Sequence, residues 1–186
     1  SAVLGRARGG PAKVEVFASG LFGSLSGSPT SNVMTTGSIT IPTMKNAGYS
    51  PVYAGAVEAC ASTGGSLMPP VMGAAAFIMA SFLNVPYAEV IIAAFIPALL
   101  YYLALMLQTD CYAARHGLVG LDDSQTPPMW HTIKRGWHFI LALLGLTFML
   151  LVWRQEAQAP FWVSLFLIAS AIWYRKREHF DLRALL

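Results

Sequence analysis

Apolar positions in this chain run together and do not alternate with polar ones. Residues 85–107 (VPYAEVIIAAFIPALLYYLALML) carry a single charge, Glu89, and are long enough to cross a hydrocarbon core of about 30 Å. Residues 137–153 and 160–174 are shorter and carry Trp or Tyr near their ends, as interface belts do. Residues 12–26 (AKVEVFASGLFGSLS) read as a helical arm that stops at Gly27-Ser28-Pro29. Pro29 suits the first position of a new helix and Ser28 its N-cap. A second arm then runs from Pro29 to about Ile41, before Pro42. Two arms of about 13 to 15 residues reach roughly 20 Å each, too short to cross. The pattern therefore predicts a re-entrant hairpin over 14–41 and not one kinked transmembrane helix.

The next segment repeats this logic. Residues 51–63 and 71–83 are half-length helical stretches, and the GGSLMPP between them, 64–70, cannot be regular helix. Asn84-Val85-Pro86 makes a turn, Pro97 lies inside the long span, and Asp110 to Gly136 reads as a polar surface loop. The last two spans pair antiparallel. The expected fold class is an all-α polytopic membrane protein with a re-entrant helical hairpin, a broken transmembrane helix and about three continuous transmembrane helices. Its expected organisation is 1–50 for the hairpin and its ion-binding tip, 51–84 for the discontinuous helix and 85–110 for a transmembrane helix. A cytoplasmic loop follows at 111–136, then a transmembrane helix pair with a basic end at 137–186.

Composition strengthens this reading. Of the 186 residues 55% are hydrophobic and 11% charged, against a usual charged share of about 25%, and mean hydropathy is +0.55. The net charge of +3 is spread over short clusters beside the spans: Arg6, Arg8 and Lys13; Lys134 and Arg135; Arg175, Lys176 and Arg177. That is a topology signal and not a nucleic-acid footprint. With 175–177 cytoplasmic, the loop 110–136 is cytoplasmic too and Arg154–Pro160 lies outside. The chain starts without Met in a loop-like phrase and shows no cleavable signal peptide, which reads as an internal piece of a longer protein. Cys60 reads as a small core residue.

The chemistry concentrates at Gly23–Thr40, GSLSGSPTSNVMTTGSIT, with ten hydroxyl or amide side chains and no charge between Glu15 and Lys45. An uncharged polar knot at membrane depth is expensive unless it lines a cavity or holds something. Half-helix C-termini offer carbonyls to cations and N-termini offer N–H groups to anions. Ser26, Gly27, Ser28 and Asn32, joined by Gly64 and Gly65 from the second break, are the expected cation ligands. Ser28, Thr30, Ser31, Thr36, Ser66 and Pro69 are the expected substrate contacts. Neutral hard oxygens suit Na⁺ better than Mg²⁺ or a transition metal. Close packing of small residues is the alternative use of the same positions. No organic cofactor is expected.

The string SGSPTSNVMTTGSITIPTMKNAGYSPVYAGAVEACASTGGSLMPPVMGAAAFIMA resembles the large membrane subunit of the tripartite ATP-independent periplasmic (TRAP) transporters, most of all the fused permeases that work with TAXI-type binding proteins. The likeness rests on the Ser-Gly-Ser tip with Asn32, Thr36-Gly37, Ile41-Pro42, Met44-Lys45, Gly48-Tyr49, Gly64-Gly65, Pro69 to Gly73 and Ile96 to Tyr102. It is strong over about 10–120 and weak over the last two spans. The resemblance implies a sodium-driven, elevator-type importer of an organic acid in the cytoplasmic membrane of a bacterium or archaeon. A periplasmic substrate-binding protein and small-membrane-subunit helices, fused elsewhere in the longer protein, are the implied partners. It also implies a second hairpin set outside this sequence.

Two rival readings remain. Ser24-Leu25-Ser26-Gly27 is one residue from the Gly-x-Ser-Gly phrase of rhomboid-like intramembrane serine proteases, with His138 as the base. A non-transporting membrane assembly module is the third class. Glu58, at membrane depth, is open to a pairing with Lys45, a tuning role at the cation site or an interface position. Glu89 and Asp110 read as solvated span ends. His116, His131 and His179 show no metal-ligand spacing, and Met34, Met44, Met68, Met72 and Met79 read as packing.

Overall fold

The computed structural model describes residues 5, 7–120, 141–153, 158 and 161–168. The chain falls into two compact units, Ser1–Met129 and Trp130–Leu186. All regular elements among the described residues are helical.

Among its described residues the first unit holds five helices. α1 is Gly10–Ser26, α2 is Pro29–Asn46, α3 is Pro51–Gly65, α4 is Ala74–Leu83 and α5 is Tyr87–His116. Local chemistry sets these boundaries. Gly27 ends α1 in the left-handed conformation, φ +61°, and its N–H bonds Gly23 O. Ser28 caps α2, its side chain accepting from the Ser31 N–H, with Pro29 at the first helical position. Ser50 caps α3 in the same way through Tyr53 N.

Several boundaries differ from the sequence expectation. α3 includes Gly64 and Gly65, read as the start of the break, and α4 starts at Ala74 and not at residue 71. α2 does not stop at Ile41 but continues through Pro42 to Asn46. One proline removes one backbone bond, whereas ending the helix at Pro42 would leave several groups unpaired. α1 also starts earlier than expected, at Gly10, so both arms are longer than expected, 17 and 18 residues. The segment 110–116, read as surface loop, is the end of the 30-residue α5. Asp110 there binds Lys13 and Arg8, Arg115 and His116 complement the helix dipole, and Gly117 caps the end at φ +64°. Residues 121–136 of the expected loop lie outside the described residues.

α1 packs on α2, α3 and α5, and α3 packs on α2 and α5. The apolar core gathers Ala12, Val16, Met44, Ala54, Val57 and Tyr102. Polar residues are buried beside it: Glu15, Ser19, Asn32, Glu58 and Ser62 are each 0% exposed. The outward face of α5 is apolar, with Ile92, Phe95, Ile96, Leu100, Leu103 and Leu107 all more than half exposed. Polar inside and apolar outside is the arrangement of a chain solvated by lipid. α5 is the one helix among the described residues long and apolar enough to cross a membrane. Cys60, expected in the core, is exposed, and so is Met34. Apolar character alone cannot separate a lipid-facing position from a core one.

In the second unit, α6 spans Leu141–Val152 and closes in a π-helical turn, Met149–Trp153. α7 covers 161–168. Leu141, Phe148, Trp162 and Phe166 of this pair line an apolar cavity of about 410 Å³. His131, His138 and His179, the basic clusters at 134–135 and 175–177, and the rest of both expected spans lie outside the described residues.

Candidate site at the hairpin tip

The tip of the α1–α2 hairpin meets the α3–α4 break. Val71 N donates to Ser24 O at 3.1 Å. A Cβ on Gly27 would come 2.0 Å from Met72 O, so this carbonyl lies directly against the Gly27 backbone. Gly27 is thus required twice, by its left-handed φ and by this approach. Gly73 N donates to Ser66 O at 3.1 Å, and Met72 itself has φ 60°. From α5, the Tyr87 hydroxyl donates to Pro70 O at 3.2 Å and also to Val71 O. Three carbonyls of the break, Ser66, Pro70 and Val71, are thus held by named donors while it stays non-helical.

The expected cation residues separate into three places. Ser26, Gly27 and Ser28 sit at the tip, with both serines exposed. Asn32 lies one turn deeper and is fully buried. Its Nδ2 donates to Ser19 O at 2.9 Å, and its Oδ1 accepts from Thr36 at 3.3 Å. Gly65 joins Asn32: a Cβ on Gly65 would lie 3.4 Å from Asn32 Nδ2. Gly64 points elsewhere, toward Tyr101 and Tyr102 of α5. Of the expected substrate residues, Thr30 and Ser31 are exposed at the start of α2 and Ser66 and Pro69 are half-buried in the break. Thr36 turns inward to Glu58 at 2.6 Å.

The break is supported from α5. Tyr101 OH donates to Cys60 O and Tyr102 OH to Ala61 O, each at 2.8 Å. At the base of the hairpin, Lys13 Nζ binds Asp110 at 2.5 Å and Arg8 binds the other oxygen of the same carboxylate. The hydrogen bond that Arg8 donates to this carboxylate, reinforced by the carboxylate's charge, raises the guanidinium pKa above its usual value.

The sequence reading left out a second polar centre. Glu15 of α1 and Glu58 of α3 are buried and lie in mutual range. Ser19 donates to Glu15 at 2.6 Å, and the hydroxyls of Thr36, Thr40 and Ser62 lie 2.6, 2.5 and 3.1 Å from the Glu58 oxygens. Glu58 thus bonds hydroxyls and not Lys45. A signal was present: Glu15-Val-Phe-Ala-Ser19 and Glu58-Ala-Cys-Ala-Ser62 share one pattern, and residues four apart share a helix face. Among the described residues no three His, Cys, Asp or Glu side chains converge as a metal site would require.

A family model described as "Tripartite ATP-independent periplasmic transporter, DctM component" matches residues 1–185. The chain belongs to this family. Among similar proteins, the sialic acid TRAP transporter permease protein SiaT of Haemophilus influenzae is 31% identical over 142 residues, 76% of this chain and 23% of SiaT. The C4-dicarboxylate TRAP transporter large permease protein DctM of Vibrio cholerae is 36% identical over 106 residues, 57% of this chain and 23% of that protein. The uncharacterized protein YgiK of Salmonella typhimurium is 32% identical over 115 residues, 62% of this chain and 26% of YgiK. The chain thus spans about a quarter of the length of these relatives. No solved structure matches it. The TRAP family is one of transporter permeases, so the chain is part of a membrane permease and not an enzyme. The protease reading of Ser26 and His138 is withdrawn on that finding.

Proposed function

We propose that this chain forms the cation- and substrate-gating half-site of a sodium-coupled TRAP permease. In this reading it imports an organic acid by an elevator-type motion, as part of a multi-pass protein of the cytoplasmic membrane. A periplasmic binding protein delivers the acid, and fused small-subunit helices brace the permease, which fits the TAXI-type arrangement best. The observation that carries the reading is the contact of the hairpin tip with the helix break, Ser24 O to Val71 N and Gly27 to Met72. Two backbone interruptions that meet at membrane depth are tolerated where they line a site.

Ser26, Ser28 and the carbonyls of the tip would hold the cation, with Asn32 Oδ1 and Gly65 behind them. The site is neutral and oxygen-rich, as a monovalent ion needs. Ser28, Thr30, Ser31, Ser66 and Pro69 would face the substrate, whose carboxylate is met by the N–H groups that open α2, with Thr36 turned inward behind them to Glu58. The names of SiaT and DctM, for sialic acid and C4-dicarboxylates, support an acidic substrate. Lys13 and Lys45 stand near the two open ends of the hairpin. That favours an interface position for its base and a re-entrant path for its arms.

The test is uptake by the full-length permease reconstituted with its binding protein. An imposed sodium gradient should drive accumulation of an organic acid. Accumulation equal with and without sodium would overturn sodium coupling. Binding-protein docking with no uptake under any gradient would support a non-transporting assembly module.

A further inference from the structure

Among the described residues, one oxygen in the centre of this bundle has no hydrogen-bond partner. Glu15 Oε2 is buried and accepts no hydrogen bond from them. Glu15 is joined to Glu58 through Ser19, whose hydroxyl lies 2.6 Å from Glu15 Oε1, 3.2 Å from Thr36 Oγ1 and 3.4 Å from Ser62 Oγ, and both of those hydroxyls contact Glu58. Two neighbouring ionised carboxylates in a buried interior repel each other, and neither is compensated: no Lys, Arg or His among the described residues binds either one. The groups packed around them are neutral. α2 contributes the Thr36 and Thr40 hydroxyls, α1 and α3 contribute Ser19 and Ser62, and α5 brings Tyr102 within range of Glu15.

The hydroxyls also run short of protons. Thr36 Oγ1 lies 2.8 Å from Asn32 O and 2.6 Å from Glu58 Oε1. Thr40 Oγ1 lies 3.0 Å from Thr36 O and 2.5 Å from Glu58 Oε2. Each hydroxyl owns one proton, and a backbone carbonyl can only accept. A hydroxyl that donates to its own helix leaves the contact with Glu58 without a proton unless the carboxyl supplies it.

We propose that Glu15 and Glu58 together form a proton-binding site that holds one proton shared between the two carboxyls. That proton relieves the repulsion and gives Glu15 Oε2 a partner. The site lies behind the hairpin tip, linked to Asn32 through Ser19 and Thr36, and its proton does not depend on the sodium reading. It lies where α1 and α2 pack on α3, so parting these helices would wet both carboxyls and release the proton. Proton binding then favours the packed arrangement of hairpin and broken helix.

Infrared difference spectroscopy of the full-length permease in lipid vesicles tests this without reference to transport. At neutral pH the wild type should show the carbonyl stretch of a protonated carboxylic acid that is lost in Glu15→Gln, whose amide N–H takes the proton's place toward Glu58. Glu15→Met should lose the same band and serves if Glu15→Gln does not fold, while Glu89→Gln should keep it. A wild-type spectrum without the band, or a band unchanged in the Glu15 variants, overturns the proposal. So does a band that disappears when sodium chloride replaces choline chloride, because the pair would then hold sodium.

Discussion

Gly23 of α1 and Gly65 of α3 cross so closely that a Cβ added to either would lie 2.5 Å from the other's Cα. The obstacle on each side is backbone, which cannot rotate away. The same crossing brings in Asn32, whose Nδ2 is 2.9 Å from the place of a Gly23 Cβ. This contact joins the hairpin to the end of α3 just before the break.

Gly23→Ala or Gly65→Ala should therefore destabilise the folded permease by about 1–3 kcal/mol, the usual cost of overpacking. Gly55, in the same α3, has nothing within 4 Å of an added Cβ. Gly55→Ala should be neutral or stabilising by up to about 1 kcal/mol through helix propensity. Thermal midpoints of the three variants in detergent measure the difference. Equal midpoints for all three would show that the crossing is looser than described.

Tyr102 is buried and donates to Ala61 O, whereas Tyr101 makes the matching bond to Cys60 O from a more exposed position. Tyr102→Phe should cost about 0.5–1.5 kcal/mol. Tyr101→Phe should cost less, because water or headgroups can replace its bond. Denaturant midpoints of the two variants decide the order, and a larger loss for Tyr101→Phe would contradict it.

Much of this arrangement could be read from the residues. Ser28 and Pro29 mark the start of α2, and Gly64-Gly65 with Pro69-Pro70 mark where α3 gives out. What escaped depends on contacts distant in sequence. The passage of α2 through Pro42 and of α5 to His116 follows from packing and from the Asp110 bonds to Lys13 and Arg8. Glu15 and Glu58 are 43 residues apart with hydroxyls from three helices around them. Only the fold shows that they are neighbours. Cys60 was misplaced because lipid and protein interior select the same apolar residues.

The re-entrant path makes its own prediction. In a background without Cys60 and Cys111, single cysteines at Arg8 and Asn46, both exposed near the hairpin base, should react with a membrane-impermeant thiol reagent from the same side. Reaction from opposite sides would make the hairpin a membrane-crossing pair of arms.

The central claim is that the tip holds the coupling cation, and the sodium concentration giving half-maximal uptake tests it most directly. In the full-length permease with its binding protein, Ser28→Ala and Asn32→Ala each remove an oxygen from the tip or from the turn behind it. A lost partner of this kind costs about 1–3 kcal/mol, so the half-maximal sodium concentration should rise by roughly tenfold or more. Binding of the periplasmic protein should be unchanged. Sodium dependence in both variants equal to that of the wild type would place the cation elsewhere and contradict the account.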